Sequence, residues 1–199
     1  MRILVGCECS QTVTAAFRAA GHDAFSCDLV DSYGDYPQYH IKGDLQEVYN
    51  WVMPDLFIAH PPCTYLSRAG IGSLCVHGEI DMLRYEKGIL ARDFFLWCLN
   101  RPAQMVCVEN PVPIRRFQLP KPTQIIQPYY YGDPYTKKTC LWLKGLPPLQ
   151  MTCPVRPSAS WTAIHSSQRI RSKTFNGVAA AMVKFWGGDL DGLQYSFGL

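Results

Sequence analysis

Short apolar runs that end in acidic or reactive residues constrain the fold of this chain more than any other feature. "RILVG" (residues 2–6) is rich in β-branched residues and predicts a buried strand. "DAFSCDLV", "DLFIAH" and "AQMVCVEN" predict three more strands. Segments with helical spacing of apolar residues lie between them, the longest from Glu79 to Leu99. Strands that alternate with helices predict an α/β fold, with a mostly parallel sheet wound on both sides.

The remaining segments complete this alternation. "TVTAAFRAAG" predicts a helix that ends at Gly21, and "YHIKGDLQEVYNWV" predicts a short strand, a turn and one or two helical turns. "TQIIQPYYYG" and "TKKTCLWLKG" are strand-like, and "TFNGVAAAMVKFWG" predicts a closing helix. The stretch 147–160 is rich in Pro and Ser and predicts an irregular connection. We expect one domain over residues 1–187 and a loose tail over 188–199.

Composition and cysteine usage limit the class of protein. A length of 199 residues, 48% hydrophobic and 18% charged, is typical of a soluble domain with a real core. No apolar run approaches the ~20 residues that span a bilayer, and "MRILVGCECS" lacks the pattern of a secretory signal. The nine cysteines have neither disulfide-framework nor zinc-knuckle spacing. We therefore expect a cytoplasmic protein with free thiols, no membrane partner and no metal site.

Five acidic or reactive residues follow the predicted strands: Glu8, Asp28, Asp44, Cys63 and Glu109. In a parallel sheet, ligands bind beyond the carboxyl ends of the strands, so these side chains mark a candidate site. An acid at the position of Asp28 binds a ribose hydroxyl or caps a turn, and the sequence leaves both readings open. The first loop, "GCECSQT", has too little glycine for a dinucleotide site, and the chain has no P-loop.

Cys63 has two readings of its own. Free cysteine is among the most buried residue types, which favours simple packing. A nucleophilic role needs a thiolate, and His60, Arg68 or a helix N-terminus are the local groups that could lower the pKa of Cys63. Glu109 at the end of the next long strand either caps the segment after it or, with its pKa raised by burial, hydrogen-bonds a ring nitrogen. The pair is more informative than either residue alone.

The motifs, taken in order, resemble those of the cytosine-C5 DNA methyltransferases, which use S-adenosylmethionine (SAM). "DLFIAHPPCTYLSRAG" is similar to the family's nucleophile motif, and "VCVENP" resembles its Glu-Asn motif. "KGDL" looks like the Gly-Asp that contacts the adenine of SAM. "YYYGDPYTKKTCLWL" is similar to the Gly-x-Pro-Gln-x-Arg-x-Arg segment, and "TFNGVAAAMVKFW" to the last helix. The resemblance covers about residues 2–186 and implies a single Rossmann-like SAM-methyltransferase domain, with an antiparallel strand near the C-terminus.

The resemblance also implies a chemistry: methyl transfer from SAM to C5 of cytosine in DNA through a covalent cysteine adduct. It assigns the catalytic roles to Cys63, Glu109, Asn110 and Lys137. The residues that it assigns to SAM are Glu8, Ser10, Asp28, Asp44 and Pro61. The residues expected to contact nucleic acid are Ser67, Arg68, Arg115, Arg116, Lys138, Arg169 and Arg171. A solvated basic face is the alternative reading of that set, because the net charge is only +3.

Three departures from the family pattern keep alternatives open. The first loop lacks the family's glycines, and Tyr135, Lys137 and Thr139 replace Gln, Arg and Arg. Only residues 143–173 are available where the family has a target-recognition domain, too few for ~50 residues or more. A protein partner or a homodimer would then supply recognition. We expect a compact enzyme of a bacterial or phage-infected cell. The alternatives are C5 methylation of a free pyrimidine nucleotide or single strand, and an inactive nucleic-acid or partner-binding module.

Overall fold

The computed structural model describes residues 1–67, 74–76 and 79–188. The predicted tail, apart from its first residue, lies outside the described residues, as does Arg68. The strands are β1 (Arg2–Gly6), β2 (Asp23–Asp28), β3 (His40–Lys42), β4 (Leu56–Ala59), β5 (Cys75–Val76), β6 (Glu79–Ile80), β7 (Met105–Pro111), β8 (Gln124–Ile126), β9 (Tyr135–Thr136), β10 (Thr139–Lys144) and β11 (Ala159–Ser160). The helices are α1 (Thr12–Ala19), α2 (Leu45–Val52), α3 (Met82–Leu99), α4 (Trp161–Ile164), α5 (Gln168–Ser172) and α6 (Asn176–Trp186).

Seven strands form one sheet in the order β3-β2-β1-β4-β7-β10-β8. Strands β3, β2, β1, β4 and β7 are mutually parallel, while β10 runs antiparallel to its two neighbours, β7 and β8. Ile3 is level with Leu56, which in turn is level with Met105. The sheet confirms the predicted α/β class and its mostly parallel order, and β10 is the antiparallel strand expected near the C-terminus.

Alternating side chains of the strands divide the core between the two faces of the sheet. Leu4 packs with residues of α2 and α3 on one face, whereas Ile3 and Val5 pack with α1 and α6 on the other. All three side chains are fully buried. Burial of a side chain of this size contributes about 1.5–3 kcal/mol, so the strands stabilise both helical layers at once. The helices on the two faces leave the carboxyl edge of the sheet to the loops.

Gly6 lets helix α2 approach the end of β1. A Cβ at this position would lie 2.4 Å from Cδ2 of Leu45, the first residue of α2. The helix itself begins where the Asp44 carboxylate accepts a hydrogen bond of 2.7 Å from the backbone N–H of Gln46. These two contacts bring the loop after β1 and the start of α2 together at one edge of the sheet.

Two predicted elements differ from the structure. The strand predicted through "TQIIQPYYYG" ends at Ile126, and Pro128–Tyr130 form a 3-10 turn, because proline has no N–H to donate to a strand. The helix predicted from Glu79 begins at Met82, since the Asp81 side chain accepts a hydrogen bond from the Arg84 N–H and caps the helix there. The short helices α4 and α5 had no counterpart in the prediction. Across the described ranges, no helix has the length and apolarity to cross a membrane.

Candidate active site

The loops after β1 and β4 flank the point where the order of the sheet reverses. The connections from β1 to β2 and β3 lead to one side of β1, and β4 lies on the other side. In open α/β sheets, ligands bind in the crevice at such a switch point. The loop after β1 carries Glu8 and Ser10, and the loop after β4 carries His60 and Cys63. The structure therefore brings several of the predicted site residues to one edge.

The loop that carries Cys63 is fixed from two sides. The Asn110 side-chain amide donates a 2.7 Å hydrogen bond to the backbone carbonyl of Pro61. The Cys63 carbonyl accepts hydrogen bonds from the N–H groups of Leu66 (3.1 Å) and Ser67 (3.0 Å). This turn, together with the two prolines, restricts the backbone around Cys63. The end of β7 and the loop after β4 thus form one connected unit.

His60 pairs with Glu109. Nδ1 of His60 lies 2.9 Å from Oε2 of Glu109, and only 11% and 15% of the two side chains are exposed. His60 was expected among the groups that assist Cys63, but its ring is directed to the carboxylate instead. Nε2 of His60 is buried and has no hydrogen-bond partner within the described ranges. Glu109 is therefore part of a buried acid–base pair.

Opposing effects set the pKa values of this pair. Burial disfavours protonation of His60, but the hydrogen bond and charge of Glu109, aided by the charge of Glu8, raise its pKa above the ordinary value. Burial also disfavours ionisation of Glu109, but the hydrogen bond and charge of His60, with Lys137, lower its pKa. We expected burial to raise the pKa of Glu109; His60 reverses that direction. Both shifts favour the ionised pair of imidazolium and carboxylate.

The thiol of Cys63 is not activated in the resting protein. Burial, followed by the charge of Glu109, raises its pKa above the ordinary value. Its own backbone N–H, Lys137 and a hydrogen bond from Ser67 act in the opposite direction but do not outweigh burial. The influence of Glu109 and Lys137 places both within electrostatic range of the sulfur. Neutralising Glu109, or adding a positive charge nearby, would favour the thiolate.

Lys137 faces a small cavity beside Glu109. Its backbone N–H donates to Oε1 of Gln127 at 2.8 Å, and its Nζ lies 5.7 Å from the centroid of the Phe175 ring. The cavity is lined by Glu109, Ile126, Pro128, Lys137, Thr139, Thr174, Phe175, Val178 and Met182. It presents an anion, a cation and an aromatic ring to the same space.

Glu8 has a structural task in the loop after β1. Its carboxylate accepts hydrogen bonds from the N–H groups of Val13 (2.6 Å) and Thr14 (3.2 Å) and from the Thr14 hydroxyl (2.7 Å). It is buried and caps the N-terminus of α1. Burial raises the pKa of Glu8 despite the opposing charge of His60 and these hydrogen bonds. The nearby Ser10 accepts a hydrogen bond of 3.3 Å from the Thr12 hydroxyl.

Asp28 and Asp44 lie at the ends of neighbouring elements. Asp28 ends β2 and accepts a 3.3 Å hydrogen bond from the N–H of Val30, while Leu29 and Val30 are largely exposed beside it. Asp44 caps α2 through its hydrogen bond from Gln46. Asp28 and Asp44, two of the residues predicted to bind SAM, therefore make turn or capping contacts in this structure. An exposed apolar pair beside the Asp28 carboxylate is a further feature of this edge.

The described residues among those predicted to contact nucleic acid differ in their exposure and local contacts. Ser67 is buried and forms a bridge to Pro113, whereas Arg115, Arg116 and Lys138 are exposed. Arg169 stacks on the Tyr33 ring, its guanidinium 3.8 Å from the ring centroid, and the Tyr33 hydroxyl donates to its carbonyl at 3.3 Å. Arg171 is half-buried in the same helix, α5.

An aromatic cluster beside the cavity was missed by the sequence prediction. Trp161 lies with its ring centroid 4.9 Å from that of Tyr135 and 4.8 Å from that of Phe175. The His165 ring meets Trp161 edge to face, with the ring centroids 4.1 Å apart. A second missed feature is the pairing of His60 with Glu109. The sequence shows only that His60 lies directly before two prolines at the end of a predicted strand. Both features adjoin Glu109 or the cavity next to it.

The fold defines a class: an α/β protein with a mostly parallel sheet, Rossmann-like in general. Within residues 1–67, 74–76 and 79–188, no group of three or more His, Cys, Asp or Glu is arranged to hold a metal ion. A comparison with models of known protein families gives no match to this chain. A comparison with curated proteins gives none either.

Proposed function

We propose that this chain is a SAM-dependent methyltransferase that transfers a methyl group to C5 of cytosine in DNA through a covalent adduct with Cys63. One observation carries the proposal: adjacent parallel strands β4 and β7 bring Cys63 and Glu109 to the same edge, with Lys137 in electrostatic range of both. A thiol, a carboxyl group and a cation at one edge of the sheet are the groups that addition to a pyrimidine needs.

Each residue has a defined task in this reaction. The Cys63 sulfur adds to C6 of the pyrimidine, and the electron pair of the C5=C6 bond moves toward C5 and N3. Glu109 binds the N3 edge and stabilises the charge that develops there, while Asn110 holds the Cys63 loop through Pro61. Lys137 steadies the ring or a phosphate from the other wall of the cavity. Loss of the C5 proton after methylation returns the ring to aromaticity and releases Cys63.

The donor groups at the carboxyl edge fit SAM. The Asp28 carboxylate suits the ribose hydroxyls, and the exposed Leu29 and Val30 next to it offer an apolar surface for an adenine. Ser10 and Asp44 would extend this surface on either side. Glu8 supports the site by fixing the first loop, since its carboxylate is already engaged by α1. SAM would supply an electrophilic methyl group.

A second candidate is the same chemistry on a free pyrimidine nucleotide or a single strand. It is favoured by the segment 145–175, which builds no separate reading domain: β11 pairs with β9, and Trp161 packs on Tyr135 and Phe175. An enzyme for duplex DNA must flip its target base and read the groove edges. A protein partner or a second copy of the chain would have to supply that reading.

The test is a covalent trap. DNA that contains 5-fluorocytosine, incubated with SAM and the protein, should give an adduct, because the C5 fluorine blocks the elimination that frees Cys63. We expect the adduct to disappear in Cys63→Ser and to persist in Cys153→Ser, a matched control at an exposed cysteine. Trapping of the fluorinated mononucleotide but not of DNA would favour the second candidate. Failure of SAM to raise the melting temperature, with no adduct on any substrate, would favour a binding module.

A further inference from the structure

His60 is a ring in the candidate site that the proposed chemistry has not used. Its backbone N–H donates a 2.9 Å hydrogen bond to the Gly6 carbonyl at the end of β1, and the next residue is held by Asn110. The strand end therefore fixes the ring position before any ligand binds. From that position Nδ1 reaches Oε2 of Glu109 at 2.9 Å.

We propose that His60 positions Glu109 and that the His60–Glu109 pair stores the proton that the pyrimidine N3 takes up when Cys63 adds to C6. The inference rests on the proposed function and deepens it, because it assigns the source of a proton within a nearly buried site. His60 acts through Glu109 and is a positioning residue, whereas Glu109 itself touches the base.

The geometry favours a proton confined to this pair. Both side chains are nearly buried, and Nε2 of His60 has no other acceptor in the part of the chain that the structure describes. Oε2 accepts the imidazole hydrogen bond with one lone pair and has a second lone pair for the base. A carboxylate held at one oxygen cannot rotate away, so that second lone pair keeps a defined direction.

The charged groups around His60 support the same assignment. Glu109 on β7 and Glu8 after β1 favour the imidazolium, while Lys137 before β10 disfavours it. The charges of Glu109 and Lys137 also act on the pKa of Cys63, which lies in the same loop as His60. Glu109 and Glu8 together outweigh burial and Lys137, so the pKa of His60 is raised.

Protons and electrons balance over one reaction cycle. In the proposed resting pair the extra proton is on His60 and Glu109 is ionised. As the sulfur–C6 bond forms, the Cys63 thiol gives its proton to water, and the imidazolium proton passes from Nδ1 through Oε2 to N3, which leaves a neutral imidazole and a carboxylate. After methylation the C5 proton passes to water and the sulfur–C6 bond breaks; N3 then returns its proton to the pair, and the Cys63 sulfur takes a proton back from water. No oxidant, reductant or further reactant is needed.

The first arm of the test measures the pair without any substrate. Nitrogen-15 NMR of the imidazoles across a pH titration should show one histidine that keeps its proton above the ordinary pKa, and this resonance should vanish in His60→Asn. In Glu109→Gln the His60 resonance should lose its proton at lower pH. An identical His60 titration in the wild type and Glu109→Gln would overturn the inference, even if the protein methylated no substrate tested.

The second arm measures methyl transfer against pH. Asn places a side-chain N–H near the position of Nδ1 but cannot store a proton, so His60→Asn separates positioning from proton storage. We expect about a 100-fold lower kcat above neutral pH, with KM unchanged and a deficit that shrinks as pH falls toward the range where Glu109 itself protonates. His22→Asn, on the far side of α1 from the site, should keep the wild-type profile. A wild-type profile in His60→Asn would refute proton storage; absence of transfer in every variant would refute the proposed function, leaving the first arm to decide on the pair.

Discussion

The coupling between His60 and Glu109 can be measured as a free energy of unfolding. At a separation of 2.9 Å, two unit charges attract by about 6 kcal/mol with an effective dielectric constant of about 20. Desolvation of two nearly buried groups offsets several kcal/mol of this attraction. Hydrogen bonds to charged groups retain about 1.5–3 kcal/mol net. We therefore expect a coupling energy of about 2 kcal/mol between the two side chains.

The assay is a double-mutant cycle. Urea unfolding of the wild type, His60→Ala, Glu109→Ala and the double variant gives the coupling as the departure from additivity. Alanine is chosen because it removes the interaction without offering a new hydrogen bond. The exposed pair Arg92 and Asp93, at 2.8 Å on α3, provides an internal control for which about 0–1 kcal/mol is expected.

The coupling should depend on pH in a defined direction. The raised pKa of His60 contributes stability that is complete below its unfolded-state value and is lost as pH rises through the folded-state value. The lowered pKa of Glu109 contributes stability that is present above its unfolded-state value and is lost as pH falls through the folded-state value. Additivity to within about 0.5 kcal/mol near neutral pH would refute the buried ion pair.

Three further predictions concern the same edge of the sheet. Glu109→Gln removes a charge that raises the pKa of Cys63, so alkylation of the Cys63 peptide by iodoacetamide, followed by mass spectrometry at fixed pH, should be faster than in the wild type; an equal rate would contradict this electrostatic coupling. Glu8→Ala leaves the N-terminus of α1 uncapped and should lower the free energy of unfolding in urea by about 0.5–2 kcal/mol, and an unchanged midpoint would mean that water replaces the cap. Gly177→Ala puts a Cβ 2.0 Å from the Tyr131 carbonyl and should cost about 1–3 kcal/mol by thermal unfolding, whereas Gly188→Ala meets nothing within 4 Å and should be neutral; equal melting temperatures would show that the start of α6 can shift.

The fold was predictable where one physical pattern dominated. The β-branched run 2–6 became the central strand β1, and the apolar spacing around Val13 and Phe17 became helix α1. Prediction failed where a single side chain or ring decides the local geometry. Pro128 ended a strand that its apolar neighbours favoured, and Asp81 moved the start of α3 by three residues from Glu79. Such effects depend on hydrogen bonds that periodicity does not encode.

The candidate site was predictable as a set of positions but not as a network. Strand ends located Cys63 and Glu109, because parallel neighbours bring their carboxyl ends to one edge. The sequence has no local signal that pairs His60 with a carboxylate 49 positions away, nor that directs both oxygens of Glu8 into a helix terminus. These contacts change the chemistry: the pKa of Glu109 falls where burial alone would raise it.

The segment 145–175 bears on the proposed choice between duplex DNA and a smaller substrate. The segment follows β10, and its strand β11 pairs with β9. Within the segment, Trp161 packs against Phe175. Arg169 stacks on Tyr33, which lies in the loop after β2. An open groove lies between this contact and the loop after β1, lined in part by Cys9, Tyr33 and Arg169. In the described residues the segment is held by β9 and by Tyr33 and builds no separate reading domain. Under the proposed function, selectivity in this chain would come from the cavity beside Glu109 and Lys137 and not from a separate reading domain.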